Sequence, residues 1–224
     1  MPQYQVNVAL DAATLAALQN GFSMQAFKGA KASAPAGAQP TLWFQLDQFS
    51  STVSVNWEEH FGGYFSNTPI HKDVVVNIST GKEMSLGQIL TLQTDGECTL
   101  NSGGVSTAYN FASEQEQTWT CGLTVSANGQ DASAICAFPQ YGAVNNVIEP
   151  YEKVLLLFTQ AQITTGAVVE TAVSSSVSVI LSPQNPTADL KFDINRGWDT
   201  EGNPYATENA ADFAMATDLI IPIS

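Results

Sequence analysis

Polar and apolar residues alternate along this chain in short runs, and this pattern constrains the fold more than any other feature. Residues 4–10 carry an apolar side chain at every second position, which is the period of a half-buried strand. About a dozen similar runs follow, with turn signals such as Asp95-Gly96 and Asn128-Gly129 between them. Because little helix separates the runs, the sequence predicts an all-β protein, specifically an antiparallel two-sheet β-sandwich.

One short N-terminal helix interrupts the strand pattern. Asp11 is a good N-cap for residues 12–18, and Asn20-Gly21 supplies a left-handed exit. Neither an internal repeat nor a shift in composition divides the chain, so we expect a single β-sandwich domain over residues 1–224. Residues 154–158 are apolar at every position, which predicts a strand buried on both faces.

The chain carries few charged residues, and most of them are acidic. Charged residues make up 12% of the sequence, the formal net charge is −14, and Arg196 is the single arginine. Repulsion excludes nucleic acid as a partner and disfavours anionic lipid surfaces. We therefore expect partners that are recognised through aromatic rings and amides, namely a cell-surface glycan or a neutral membrane lipid.

The N-terminal residues do not resemble a signal peptide. Residues 1–5 lack a basic segment, and no unbroken apolar stretch follows them. The sequence also lacks a run of about 18 apolar residues, which a membrane helix requires. We expect a soluble protein made without a signal peptide, which stays in the cytoplasm or is released by a non-classical route.

The three cysteines, Cys98, Cys121 and Cys136, are odd in number and too far apart for a CxxC metal site. Buried free thiols are the first expectation. A disulfide between Cys121 and Cys136, which lie on candidate neighbouring strands, is the alternative in an oxidising compartment.

The segment of residues 193–205 collects oxygen-bearing side chains and glycines. Calcium takes six to eight oxygen ligands, so this segment is a candidate calcium loop, and no other cofactor is expected. Its spacing departs from that of an EF-hand, because the glycine expected at the sixth loop position is missing. The predicted ligands are Asp193, Asn195, Asp199 and Glu201.

The same segment offers the mixture that a sugar-binding site needs. Trp198 and Tyr205 supply flat apolar rings, and Asp199 and Asn203 supply hydrogen-bonding groups. These four residues are therefore candidate ligand-binding residues. The alternative is an ordinary surface loop with Trp198 packed onto the sheet.

A second aromatic group surrounds Gly62-Gly63. Two glycines inside a strand-like run indicate a bulge, or the close approach of another backbone or of a ligand. Trp57, Phe61 and Tyr64 are therefore candidates for a lipid-headgroup or glycan pocket. The alternative places these rings in the core, since alternation points half of them inward.

Residues 166–181 form a long alternating run of small residues. Transmembrane β-hairpins are built from alternating segments of about ten residues, and pore-forming proteins store such ribbons against their soluble body. An ordinary outer strand, broken into a hairpin by the serines at 174–176, is the alternative. The predicted membrane-inserting residues are Val169, Val173, Val177 and Val179.

These features favour a non-enzymatic protein that binds cell surfaces, either lectin-like or a soluble β pore-forming toxin that forms homo-oligomers on a membrane. A self-assembling structural or inclusion protein is the first alternative, because polar uncharged strand edges favour regular packing. A hydrolase of unknown type is the second and the least favoured. The sequence contains no GxSxG, HExxH or P-loop spacing, and its two histidines offer little acid–base chemistry.

Overall fold

The computed structural model of the protein describes residues 2–142 and 144–223. The described residues form nineteen strands and two helices, so the all-β prediction is confirmed. The helices are α1 (Ala12–Leu18) and α2 (Ala216–Leu219). In chain order, the strands are β1 (Gln3–Leu10), β2 (Ser23–Ala32), β3 (Gln39–Pro40), β4 (Phe44–Leu46), β5 (Thr52–Glu58), β6 (Phe61–Ser66), β7 (Thr80–Glu83), β8 (Gln88–Leu92), β9 (Cys98–Ser102), β10 (Tyr109–Ser113), β11 (Trp119–Val125), β12 (Ser133–Ala134), β13 (Cys136–Gln140), β14 (Asn146–Thr159), β15 (Ser176–Ile180), β16 (Thr187–Asp193), β17 (Gly197–Asp199), β18 (Ala206–Asn209) and β19 (Ile220–Pro222).

Helix α1 lies where the sequence predicts it. Asp11 Oδ1 accepts the backbone N–H of Thr14 at 2.7 Å, and Gly21 follows the helix with a φ of 82°. This cap satisfies one of the free N–H groups at the helix start. Helix α2, which the sequence analysis did not predict, is four residues long. Across the described ranges, no helix is long and apolar enough to cross a membrane.

The strands pair in three sheets, so the predicted two-sheet arrangement is not confirmed. Among the described strands, β1 with β16, β8 with β10 and β2 with β19 are parallel pairs, whereas an antiparallel fold was predicted. Alternation identifies the buried face of a strand but not its neighbours in the sheet. The sheets run in the orders β17-β16-β1-β5, β18-β15-β14-β10-β8-β9 with β2, β4 and β19 attached, and β3-β13-β11-β6-β7 with β12 attached.

Strand β14 is buried on both faces, as its uninterrupted apolar run predicts. Val154, Leu156 and Phe158 belong to the main hydrophobic cluster, whereas Leu155 and Leu157 belong to a second cluster that includes Leu219 of α2. Burying each side chain of this size stabilises the fold by about 1.5–3 kcal/mol. The strand therefore joins two cores and anchors the fold.

The main hydrophobic cluster draws buried residues from much of the chain, the first of them Tyr4 in β1 and the last Ile220 in β19. On β1, every second side chain from Tyr4 to Leu10 is buried, which confirms the alternation read from the sequence. This places the other face of β1, with Gln5 and Asn7, toward solvent. The organisation as a single domain stays a prediction.

The predicted ribbon over residues 166–181 is wrong in its extent. Only Ser176–Ile180 form a strand, β15, while residues 167, 168 and 171 make isolated bridges to three separate segments. Strand β15 lies between β14 and β18, and Val177 and Val179 are fully buried. Val169 is also buried, and only Val173 is exposed. Small residues recur here because neighbouring segments cover this part of the chain closely.

Cys98, Cys121 and Cys136 are free and buried, which confirms the first expectation and leaves no disulfide between Cys121 and Cys136. Burial raises the pKa of the Cys136 thiol to about 12 and also raises that of Cys121. Both thiols therefore stay protonated at neutral pH and act as packing groups.

Candidate binding site

A cavity of about 680 Å³ opens where β16 and β17 meet the start of α1. The hairpin register places Trp198 opposite Phe192. Strand β1 runs parallel to β16 and brings its last residue, Leu10, to the same edge. We call this space the β16–β17 cavity. Its polar lining residues are Asp11, Lys191, Asp193, Arg196, Asp199 and Glu208.

The apolar part of the lining is held rigidly by aromatic packing. The Trp198 ring is stacked on Phe158 at 5.5 Å between centroids and contacts Phe192 at 4.9 Å. Its Nε1–H donates to the carbonyl oxygen of Ser175 at 3.1 Å. Since only 6% of Trp198 is exposed, its ring offers the cavity little free surface for stacking.

A tight turn between β16 and β17 presents Arg196. Asp193 Oδ1 accepts the backbone N–H groups of Asn195 at 2.8 Å and Arg196 at 3.1 Å. Gly197 then takes a φ of 89°, a conformation that favours glycine. The turn therefore fixes the backbone beneath the exposed Arg196 side chain.

The structure does not assemble the predicted calcium site. Asp193 and Asp199 each use Oδ1 to cap their own turns, with Asp199 accepting the Glu201 N–H at 2.9 Å. Glu201 pairs with Lys191 Nζ at 2.6 Å, and Asn195 is exposed. Within residues 2–142 and 144–223, no three His, Cys, Asp or Glu side chains form a group that could hold a metal ion.

The remaining predicted sugar ligands lie beside the cavity. Asn203 Oδ1 accepts the backbone N–H of Tyr205 at 2.9 Å, so its side-chain oxygen stabilises a turn. The Tyr205 ring is 51% exposed on the segment between β17 and β18. Of the four predicted residues, Trp198 and Asp199 line the cavity, whereas Asn203 and Tyr205 do not.

Charges of both signs lie around the cavity. Hydrogen bonds from Thr14 lower the pKa of Asp11, and the nearby Arg196 charge acts in the same direction. The hydrogen bond to Glu201 raises the pKa of Lys191. The cavity therefore holds permanent donors and permanent acceptors at neutral pH, above an apolar floor.

A shallower cavity of about 500 Å³ continues from the first across the outer face of the β16-β1-β5 sheet and shares Ala9 and Lys191 with it. Its centre is a side-chain network around Asn7. The Asn7 amide donates to Asp189 Oδ1 at 2.8 Å, and its Oδ1 accepts from Ser54 Oγ at 2.7 Å. The two cavities adjoin, the first lined by charged side chains and the second adding the amides of Gln5 and Asn7 and the hydroxyls of Thr52 and Ser54.

The three rings of the second aromatic group are buried in the core, as the alternative interpretation predicts. Trp57, Phe61 and Tyr64 are each no more than 2% exposed. The Tyr64 hydroxyl donates to the carbonyl oxygen of Cys136 at 2.8 Å. Gly63 is required because a Cβ there would lie 2.3 Å from Met84 Sδ. The glycines therefore permit close packing of protein side chains, and together with Tyr64 they also line a separate cavity of about 340 Å³.

The sequence did not identify Glu208, Lys191 or Arg196 as members of the site, and Arg196 was noted only as the single arginine of the chain. Glu208 comes from β18, which belongs to a different sheet from β16 and β17. The sequence holds no local signal for this contact. The parallel pairing of β1 with β16 joins residues about 180 positions apart, and no spacing rule predicts it.

Neither the sequence nor the fold gives a match to known proteins. No family model, no curated protein and no solved structure matches the chain. The chemistry of the site is therefore inferred from its geometry alone.

Proposed function

We propose that the protein is a non-enzymatic, lectin-like protein that binds neutral glycans in the β16–β17 cavity. The observation that carries the proposal is the set of opposite charges above an apolar floor, with Arg196 as donor and Glu208 and Asp199 as acceptors beside Trp198. Sugar hydroxyls both donate and accept hydrogen bonds, so they suit a cavity that presents both kinds of group.

The size and shape of the surface support an oligosaccharide over a single small molecule. The two continuous cavities offer hydrogen-bonding groups from Glu208 to the Asn7 network. An extended ligand can contact both cavities. A sugar unit that reaches the second cavity can form hydrogen bonds with its amides and hydroxyls. Few aromatic faces are exposed, so we expect affinity to depend more on hydrogen bonds than on ring stacking.

The net charge narrows the ligand class. At −14, the chain repels polyanions such as sulfated glycans, in particular at low ionic strength. Neutral glycans carry no such penalty. A free oligosaccharide and the headgroup of a neutral glycolipid share this chemistry, and the experiment must distinguish the two sources.

The test is a neutral-glycan array followed by calorimetry with the strongest binder. We expect Arg196→Ala and Glu208→Gln each to weaken binding about tenfold or more, because each removes a charge-assisted hydrogen bond of about 1.5–3 kcal/mol. Glu83→Gln is the matched control, since Glu83 is 83% exposed and pairs with His60 outside the cavity. Absence of neutral-glycan binding, or equal affinity of all variants, overturns the proposal.

Two further readouts separate the alternatives. Dye leakage from neutral vesicles that contain the glycolipid, and not from vesicles without it, would favour the pore-forming toxin. Release of reducing sugar from the bound glycan would favour the hydrolase. Binding without leakage or hydrolysis is the result expected for a lectin-like protein.

Self-assembly through open sheet edges has less support. At the outer edge of β5, Asn128 makes the hydrogen bonds that a neighbouring strand would otherwise make. Its Oδ1 accepts the Asn56 N–H at 2.7 Å, its N–H donates to Asn56 O at 2.9 Å, and its Nδ2 donates to Ser54 O at 2.8 Å. This part of the β5 edge is therefore blocked from pairing with a second copy of the chain, which is one way in which β proteins avoid aggregation.

A further inference from the structure

A buried lysine and a buried carboxylate meet between the two most extensively paired strands of the fold. Lys28 of β2 contacts Glu152 of β14 through Nζ and Oε2. The pairing of β2 with β14 shifts register between Tyr151 and Val154, which is the signature of a β-bulge. The bulge re-aims Glu152 into the main core, where Trp57 Nε1 donates to the same Oε2 at 2.7 Å.

Solvent is excluded from this pair. The Lys28 side chain is 0% exposed and that of Glu152 is 10% exposed. Nζ lies 4.8 Å from the centroid of the Trp57 ring and 5.7 Å from that of Phe61. Within the described part of the chain, Glu152 Oε1 is buried without a hydrogen-bond partner. We call Lys28, Trp57, Phe61 and Glu152 the Lys28 cluster.

An ion pair is poorly suited to these surroundings. Removing two charges from water costs several kcal/mol per ion, and the attraction between them offsets this only when the remaining polar atoms are satisfied. Here one carboxylate oxygen is not satisfied. Burial lowers the pKa of Lys28, and the interaction with Glu152 acts in the opposite direction.

The neighbouring residue provides a contrast within the same bulge. Lys153 pairs with Asp218 of α2, but these side chains are 13% and 21% exposed. Both Asp218 oxygens are satisfied, because Ser178 Oγ donates to Oδ2 at 2.6 Å. Lys153 and Asp218 therefore have what a stable ion pair needs, namely water and complete hydrogen bonding.

We propose that Lys28 and Glu152 condense to form an isopeptide bond between β2 and β14. The Nζ–Cδ bond forms and the Cδ–Oε1 bond breaks. Two of the three ammonium protons leave with Oε1 as water, so two opposite charges become one neutral amide and no oxidant or reductant is needed. Oε2 becomes the amide oxygen and keeps the hydrogen bond from Trp57, while the unsatisfied Oε1 is eliminated.

This modification would act as a covalent staple inside the core. It would link residues 28 and 152 across the pair of strands that have the longest shared register in the fold. Its formation requires the folded protein, because only folding brings the two side chains together. The reaction is independent of the β16–β17 cavity and of the proposed glycan binding.

Mass spectrometry of the wild-type protein decides the question. We expect an intact mass lower than the sequence mass by one water, about 18 Da, under denaturing conditions. Trypsin should fail to cleave after Lys28, because an acylated lysine is not a substrate. The digest should contain a branched peptide that joins Lys28 to Glu152.

Two variants make the assignment specific. Lys28→Met should abolish the mass deficit, whereas the matched control Lys153→Met, which removes the neighbouring lysine, should retain it. A wild-type chain with the full sequence mass, cleaved normally after Lys28, overturns the proposal. This test uses the wild-type protein, so it does not depend on whether a variant folds. A mass deficit that maps to any other peptide also overturns the proposal.

Discussion

The Lys28 cluster and the β16–β17 cavity are built from the same kinds of residue and differ in their access to water. Each combines a tryptophan, a lysine and at least one carboxylate. In the Lys28 cluster the lysine is 0% exposed, whereas the Lys191 side chain in the cavity is 56% exposed. Residue type therefore determines which interactions form, and burial determines whether these interactions stabilise the fold or are available to a ligand.

The largest expected difference between the two regions is in stability. Glu152→Ala leaves Lys28 buried without a partner, so we expect a loss of about 3–5 kcal/mol in the free energy of unfolding. Glu201→Ala breaks the exposed pair with Lys191 and should cost no more than about 1 kcal/mol. Urea denaturation of both variants measures the difference, and similar losses in the two variants would remove the distinction.

The tryptophan of the Lys28 cluster offers a finer test. Trp57→Phe removes the hydrogen bond that Nε1 donates to Glu152 Oε2, the oxygen that Lys28 Nζ also contacts, and this loss costs about 1–3 kcal/mol. Trp119→Phe is the control, because in the structure's described ranges Trp119 Nε1 is buried with no hydrogen-bond partner. We expect the control to lose less than about 1 kcal/mol. Equal losses in a denaturation series would show that the hydrogen bond contributes nothing.

The sequence predicted those parts of the fold that depend on local pattern. The alternation of β1, the cap of α1 by Asp11 and the double-sided burial of β14 all follow from periods and side-chain chemistry within a few residues. The three sheets and the parallel pairs depend on contacts between distant segments, which no local pattern encodes.

The candidate site was predicted only in part for the same reason. Trp57 and Trp198 look equally suited to bind a ligand in the sequence, because ring type does not reveal burial. Both rings are buried, Trp57 beside Lys28 and Trp198 beside Phe158, and each also lines a cavity, of about 400 Å³ and about 680 Å³ respectively. Asp199 lines the cavity because it follows Trp198 in the chain, whereas Glu208 comes from a strand of another sheet and could not be identified from the sequence.

A pH dependence of stability is expected from Tyr109, whose ring lies 5.6 Å from that of Phe61 in the Lys28 cluster. Burial, with smaller contributions from Glu59 and Glu152, raises the pKa of Tyr109 to about 12. Between pH 10.0, the ordinary pKa, and about 12, the unfolded chain releases this proton and the folded chain retains it, so stability falls as pH rises.

The matching measurement compares wild type with Tyr109→Phe across this range. The wild type should lose up to about 1.4 kcal/mol per pH unit more than the variant. If the two proteins lose stability in parallel as pH rises, burial does not raise the pKa of the Tyr109 phenol.

Glycan binding in the β16–β17 cavity can be located by hydrogen exchange with and without the strongest glycan from the array. We expect the glycan to slow exchange in residues 193–208, which border the cavity, and to leave exchange in residues 24–32 and 150–158 around the Lys28 cluster unchanged. Protection confined to residues outside the cavity, or no protection at a saturating glycan concentration, would contradict this expectation.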